Sequence, residues 1–124
     1  MKKLLIADDE EGVRALVRMT LEGGNYEILE ASNGEDALNL ARAEHPELIL
    51  LDVEMPRKSG LDVCRSLKAD TATAGATVVM LTARTQDADV AAGEQAGADG
   101  YFTKPFSPFA LMRKVEEIME AEAS

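Results

Sequence analysis

Short apolar runs alternate along this chain with longer segments whose apolar residues recur at helical spacing. Five of the runs have the length and composition of β-strands. The run at residues 48–51 is apolar throughout, which is typical of a central strand that is buried on both faces. The five predicted strands cover residues 3–7, 26–30, 48–51, 77–81 and 99–103.

Each predicted strand is followed by a predicted helix, so the chain contains five βα units. Asn33 is the expected N-terminal cap of the second helix, and Ser59-Gly60 opens the third. The fourth helix, over residues 86–95, is the weakest, because Val90 is its only large apolar residue. The apolar faces of the first and last helices consist of Val13, Leu16, Val17 and Leu21, and of Leu111, Met112, Val115, Ile118 and Met119.

This alternation predicts the fold class. Each right-handed crossover has to bury the apolar stripe of its helix, so a parallel sheet with helices on both faces is expected. We therefore predict a doubly wound α/β fold in one domain over residues 1–124. The last helix ends in acidic residues, which are unfavourable at the negative end of a helix dipole, and this predicts either fraying or continuation into a longer protein.

The composition excludes several kinds of function. The formal net charge is −10 over 124 residues and no basic stripe is present, which argues against direct contact with nucleic acid. The single cysteine, Cys64, rules out an internal disulfide. No apolar stretch approaches the roughly 18 residues of a spanning helix, so no membrane contact is expected and a cytoplasmic location is predicted.

Polar residues stand where four of the predicted strands stop. They are Asp8 and Asp9 after the first strand, Asp52 after the third, Thr82 after the fourth and Lys104 after the fifth. Because open α/β sheets bind ligands at the carboxyl ends of their strands, we expect these side chains to share one site. Three carboxylates that meet there repel one another unless one is protonated or a cation joins them. Oxygen-only ligands at a rigid sheet edge favour Mg²⁺ as that cation.

Such a site suits transfer of a phosphoryl group to a carboxylate. A carboxylate held near the metal can attack phosphorus and form an acyl phosphate, provided that fixed charges and donors neutralise the oxygens of the transferring group. The Lys104 ammonium is a compact charge for one of these oxygens, and the Thr82 hydroxyl can donate to another.

Each of these residues also has an ordinary interpretation when it is taken alone. The pair Asp8-Asp9 matches a helix N-terminal cap, and Asp52 matches a turn residue. Thr82 matches a cap for the following helix, and Lys104 matches a solvated surface lysine. Their joint occurrence at four strand ends favours the shared site over coincidence.

Four short motifs carry a resemblance to a known family. They are IADDE at residues 6–10, LDVEMP at 51–56 with Gly60 beyond it, LTAR at 81–84 and YFTKPF at 101–106. With these motifs in this order, the chain resembles the receiver domain of two-component response regulators over essentially its whole length, in the manner of a chemotaxis regulator. The resemblance implies a flavodoxin-like strand order, 2-1-3-4-5.

The same resemblance implies a role for each acidic residue. Asp52 is implied to be the phosphoacceptor, taking a phosphoryl group from a histidine kinase or a phosphotransfer protein. Asp9 and Asp52 are implied to ligate Mg²⁺ directly, Glu54 through its backbone carbonyl, and Asp8 mostly through water.

The resemblance also implies a switch. Thr82 and Tyr101 match a pair in which the hydroxyl moves toward the phosphoryl group and the ring turns inward, and Lys104-Pro105 matches a peptide bond that is cis in the family. Little buried area holds the helix at 86–95, so we expect phosphorylation to move it. The surface of this helix, the fifth strand and the last helix is the predicted output face, for a downstream protein or domain or for a homodimer.

The opposite charges of Glu54 and Arg84, each two residues beyond a site residue, suggest an ion pair across the mouth of the site. Such a pair is expected to hinder the hydrolytic water. A long-lived aspartyl phosphate is the corresponding hypothesis.

Two other functions were considered against these motifs. A Mg²⁺-dependent phosphohydrolase calls for an Asp-x-Asp nucleophile motif and a capping insertion, whereas Asp52-Val53-Glu54 lacks the second aspartate. An inactive docking domain normally loses an acidic residue, the acceptor or the lysine, and all are present here. The expectation is therefore a signalling module that catalyses only its own phosphorylation and dephosphorylation, and is no enzyme toward external substrates.

Overall fold

Five strands and four helices alternate in the part of the chain that the structure, a computed structural model, describes, namely residues 2–82, 96–104 and 106–123. The strands are β1 (Lys2–Ala7), β2 (Tyr26–Ala31), β3 (Leu48–Asp52), β4 (Thr77–Thr82) and β5 (Gly100–Thr103). The helices are α1 (Glu11–Leu21), α2 (Gly34–Glu44), α3 (Gly60–Ala69) and the C-terminal helix α4 (Pro108–Ala123). The helix predicted at 86–95, Arg84 and Pro105 lie outside the described residues.

The strands form a single parallel sheet in the order β2-β1-β3-β4-β5. The doubly wound fold class and the flavodoxin-like strand order are therefore confirmed. Strand bounds agree with the predicted ones to within one residue. Asp52 and Thr82 are the last residues of β3 and β4 and do not follow them as predicted, because the ladder continues through the pair Asp52–Leu81 and the pair Thr82–Thr103.

Successive side chains of the central strands pack into two separate cores, one on each face of the sheet. In β1, Leu4 and Ile6 face the core that α1 and α4 cover, whereas Leu5 and Ala7 face the core that α2 and α3 cover. All five residues of β3 are buried. The apolar run at 48–51 therefore reflects burial on both faces, as the sequence predicted.

Helix ends follow the local chemistry of the sequence. Asn33 Oδ1 accepts a hydrogen bond from the Asp36 N–H at 2.8 Å, and Ser59 Oγ accepts one from the Asp62 N–H at 3.2 Å. The predicted cap at Asn33 is thus confirmed, and so is the predicted start of the third helix at Ser59-Gly60, where Ser59 is also a cap. Among the helices of the described residues, none is both long enough and apolar enough to cross a membrane.

A close backbone contact fixes the loop that follows β3. The Gly60 N–H donates to Val53 O at 2.9 Å, and a Cβ atom on Gly60 would lie 1.9 Å from Asp52 O. Only glycine fits there, because the first turn of α3 rests on the backbone of the last residue of β3. The loop is thereby held against the strand end that carries Asp52.

We expect Gly60→Ala to lower the free energy of unfolding by about 2–4 kcal/mol, because the added methyl group forces α3 away from β3. Urea unfolding measures this change. The matched control is Gly12→Ala in α1, where an added Cβ meets no atom within 4 Å. That variant should change stability by no more than about 1 kcal/mol. Equal losses in the two variants would contradict the packing explanation.

Candidate functional site

The predicted site residues meet at the carboxyl edge of the sheet. Asp8 directly follows β1 and is fully buried, and its N–H donates to Ala31 O at 3.1 Å. Asp52 ends the central strand β3 and is 6% exposed. Lys104 directly follows β5, where its N–H donates to Thr82 O at 2.7 Å. The strand ends thus set the position of each side chain.

The Lys104 side chain joins the acidic residues. Its Nζ atom lies 2.7 Å from Asp8 Oδ2, 3.4 Å from Asp52 Oδ2 and 3.8 Å from Glu10 Oε1. The lysine side chain is only 13% exposed. Lys104 was expected to meet phosphoryl oxygens, and in this structure it neutralises two buried carboxylates.

The acidic group beside Lys104 has the donor set of a hard cation site. Ligand oxygens of Asp8, Asp9 and Glu10 lie within 4.8 Å of one another. Asp8 Oδ1 accepts a hydrogen bond from the Glu10 N–H at 2.9 Å. Asp8 Oδ2 is buried and meets the Lys104 ammonium as an ion pair, with no well-directed hydrogen bond from the described residues. A buried carboxylate oxygen with spare capacity, among oxygen-only ligands, fits Mg²⁺.

Burial and charge shift the ionisation of the two central groups. Burial raises the pKa of the Asp52 carboxyl to about 6, and the Asp8 carboxylate adds to this rise. Lys104 and the Glu54 N–H, 3.4 Å from Asp52 Oδ1, oppose it. Burial lowers the pKa of Lys104, but contacts with Asp8, Asp52 and Glu10 outweigh that effect and raise it overall. Asp52 is therefore ionised, and Lys104 charged, at neutral pH.

Thr82 ends β4 at this edge, and Tyr101 lies on the neighbouring strand β5, two residues before the end of that strand. Thr82 is buried, at 8% exposure, and is paired in register with Thr103. Tyr101 is paired with Met80 of β4 and is 37% exposed. The tyrosine thus lies on the edge strand of the described sheet, next to the strand that carries the threonine.

Two contacts at the site were not anticipated. Glu10 lies within 3.8 Å of the Lys104 ammonium and belongs to the acidic cluster, although the sequence reasoning gave it no role. Its position directly after Asp8-Asp9 in the sequence could have indicated that it belongs to the acidic cluster. Arg14 Nη1 donates to the backbone carbonyl of Asp8 at 2.8 Å. No sequence signal indicated this contact, because Arg14 reads as an ordinary polar residue on α1.

Comparison with known proteins identifies the family of the chain. The family model for the response regulator receiver domain matches residues 4–116. Among curated relatives, the chain is 41% identical over 118 residues to the alkaline phosphatase synthesis transcriptional regulatory protein PhoP of Bacillus subtilis. That alignment covers 95% of this chain and 48% of PhoP, so the chain spans about half the length of this relative.

Solved structures show the same likeness. The chemotaxis response regulator CheY4 of Vibrio cholerae matches with a TM-score of 0.89 at 30% identity, over 95% of this chain and 98% of that one. The response regulator DrrB, described as a Thermotoga maritima OmpR/PhoB homologue, matches with a TM-score of 0.88 at 34% identity. That match covers 98% of this chain and 54% of DrrB.

The raised pKa of Asp52 gives a stability prediction. Because the folded-state pKa is about 6 and the ordinary value is 3.8, the folded state binds more protons than the unfolded state between these values. The free energy of unfolding therefore falls as the pH rises through that window. Asp52→Asn removes this penalty and should stabilise the protein by about 1–3 kcal/mol near pH 7.5, but by about 1 kcal/mol less near pH 5.

Urea unfolding at the two pH values, in buffer with a chelator, measures this difference. The control is Asp62→Asn, which removes an exposed carboxylate on α3 that is 56% accessible. If Asp52→Asn stabilises the protein equally at both pH values, the pKa of Asp52 is not raised in the folded state.

Proposed function

This chain belongs to the response regulator receiver family, and from that membership we propose that Asp52 is the residue at which this phosphoacceptor signalling domain takes up its phosphoryl group. The donor is a histidine kinase or a phosphotransfer protein. The observation that carries the proposal is the position of Asp52, a buried carboxylate at the end of the central strand with the Lys104 ammonium 3.4 Å away.

The chemistry follows from the groups around Asp52. One carboxylate oxygen attacks phosphorus, the bond to the donor breaks, and its electron pair leaves with the donor. The product is an aspartyl phosphate. Lys104 leaves its carboxylate partners to meet one phosphoryl oxygen, and the Thr82 hydroxyl donates to another. The neutral-pH ionisation of Asp52 supports its role as a nucleophile.

We propose that Mg²⁺ is held by Asp9, Asp52 and the backbone carbonyl of Glu54, with Asp8 acting mostly through water. The clustered oxygens of Asp8, Asp9 and Glu10 support the part of this assignment that concerns Asp8 and Asp9. When bound, the ion neutralises negative charge on the transferring group. No external substrate is turned over, since the segment Asp52-Val53-Glu54 lacks the second aspartate of a phosphohydrolase motif.

The output of the domain is a switch at Thr82 and Tyr101. Movement of the Thr82 hydroxyl toward the phosphoryl group opens space into which the Tyr101 ring turns from its exposed position. Among the described residues the output face comprises β5 and α4, and it binds a downstream module or a second copy of the chain; the predicted contribution of residues 86–95 lies outside the described residues. Because relatives such as PhoP are named as transcriptional regulatory proteins and are about twice as long, we propose transcriptional control as the final output.

Phosphorylation at Asp52 can be tested directly. After incubation with acetyl phosphate and Mg²⁺, the intact mass of the wild-type protein should increase by one phosphoryl group, and Asp52→Asn should show no increase. Lys104→Met should slow the reaction by about 100-fold or more, because the fixed charge for the transferring oxygens is lost. Asp62→Asn, on the exposed surface of α3, should behave as the wild type does. Phosphate uptake by Asp52→Asn would place the acceptor elsewhere.

Metal binding can be tested separately, by calorimetric titration with Mg²⁺ in the absence of a phosphodonor. Asp9→Asn should weaken binding by about 10-fold or more, because a direct ligand is removed. The matched control is Glu11→Gln, which removes the same charge from an exposed residue two positions away. Comparable losses in both variants would indicate a general effect of charge and not a ligand at Asp9.

A further inference from the structure

The beginning of β5 is held to β4 by a side chain at the opposite edge of the sheet from Asp52. The Asp99 N–H donates to Val78 O at 2.8 Å, and Asp99 Oδ2 accepts from the Val78 N–H at 2.8 Å. One aspartate therefore engages both backbone groups of the same β4 residue. Asp99 was predicted to be the first residue of β5, but the strand begins at Gly100. At Asp99 the Val78 N–H donates to the side-chain carboxylate and not to a backbone carbonyl of β5.

A lysine on α3 completes this junction. Lys68 Nζ lies 2.9 Å from Asp99 Oδ2 and donates to Ala76 O at 2.7 Å and to Ala74 O at 3.4 Å. An ammonium group has three donors, so each has an acceptor here. The Lys68 side chain is 22% exposed, and its methylene groups pack beside Gly97, which has a φ of +94°. The loop before β4 and the loop before β5 are thus joined by one side chain.

The junction matters because β5 is a short strand and the Asp99–Val78 contacts hold its beginning. The strand has four residues, and each pairs with one β4 residue, from the pair Val79–Gly100 to the pair Thr82–Thr103. In a strand, a slip of one residue turns every side chain to the other face. Such a slip would carry Tyr101 away from its exposed position and Lys104 away from the buried carboxylates. The Asp99–Val78 hydrogen bonds oppose it at the strand's first rung.

We propose that Asp99 and Lys68 are positioning residues for phosphoryl transfer, which fix the register of β5 and so place Lys104 at the acidic site. The proposal rests on the proposed function of Asp52 as the phosphoacceptor. Neither residue touches the reacting atoms. Their influence passes along four residues of backbone, from the amino end of β5 to the lysine that follows its carboxyl end.

The test compares four variants with the wild type. Asp99→Ala removes the carboxylate that accepts from the Val78 N–H and meets Lys68, and Lys68→Met removes the ammonium that holds this carboxylate. Lys68→Arg restores a cation. Asp62→Asn is the control, since it breaks an exposed ion pair, with Arg65 at 3.2 Å, on the same helix.

Two measurements are made on each folded variant, at a temperature well below its unfolding midpoint. The initial rate of phosphorylation by acetyl phosphate at saturating Mg²⁺ should fall by about three- to thirty-fold in Asp99→Ala and Lys68→Met, because misplacing Lys104 slows the transfer. The ¹³Cε resonance of Lys104, in lysine-labelled protein, should shift in the same two variants. Lys68→Arg should recover most of the rate, and Asp62→Asn should match the wild type in both measurements.

A wild-type rate and an unshifted Lys104 resonance in folded Lys68→Met and Asp99→Ala would overturn the proposal and leave the junction as a stability element alone. If Asp99→Ala does not fold, Lys68→Met decides the question. A wild-type protein that takes up no phosphoryl group would refute the proposed function itself, and this result is distinct from a failure of the positioning role.

Discussion

The ammonium group of Lys104 stabilises two buried carboxylates at the carboxyl edge of this sheet. Asp8 and Asp52 come from adjacent central strands and are almost completely buried, so their negative charges repel one another in a poorly solvated place. Lys104 reaches them from the far side of β4 and lies within 2.7 and 3.4 Å of their oxygens. Burial, together with the neighbouring Asp8 carboxylate, still raises the pKa of Asp52 to about 6. Two carboxylates beside one ammonium leave a net negative charge at this edge, which favours a cation.

The rest of the fold serves to place these three side chains. The central strands are buried on both faces, and this close packing fixes the positions of Asp8 and Asp52 at their ends. The tight approach of Gly60 to the backbone of Asp52 holds the following loop against the strand. The lysine, by contrast, follows a four-residue strand at the edge of the described sheet, and backbone hydrogen bonds join both ends of that strand to β4.

Much of this could be predicted from the sequence, because the relevant signals are local. Continuous apolar runs located the strands to within one residue, and the side chains of Asn33 and Ser59 identified two helix starts. The convergence of the polar residues followed from the rule that parallel strands present their carboxyl ends at one edge. What each side chain touches was harder to predict. The contacts of Lys104 with carboxylates, and of Lys68 with Asp99, join residues more than 30 positions apart and depend on side-chain reach across the sheet.

The acidic residues of the site and its lysine come from different parts of the sheet. Asp8 follows β1 and Asp52 ends β3, and these two strands pair with each other. Lys104, by contrast, follows β5, which pairs with β4. Without β5, Asp8 and Asp52 would lack the ammonium that lies 2.7 and 3.4 Å from their oxygens. The charge arrangement of this edge is therefore complete only once the last strand has paired with β4.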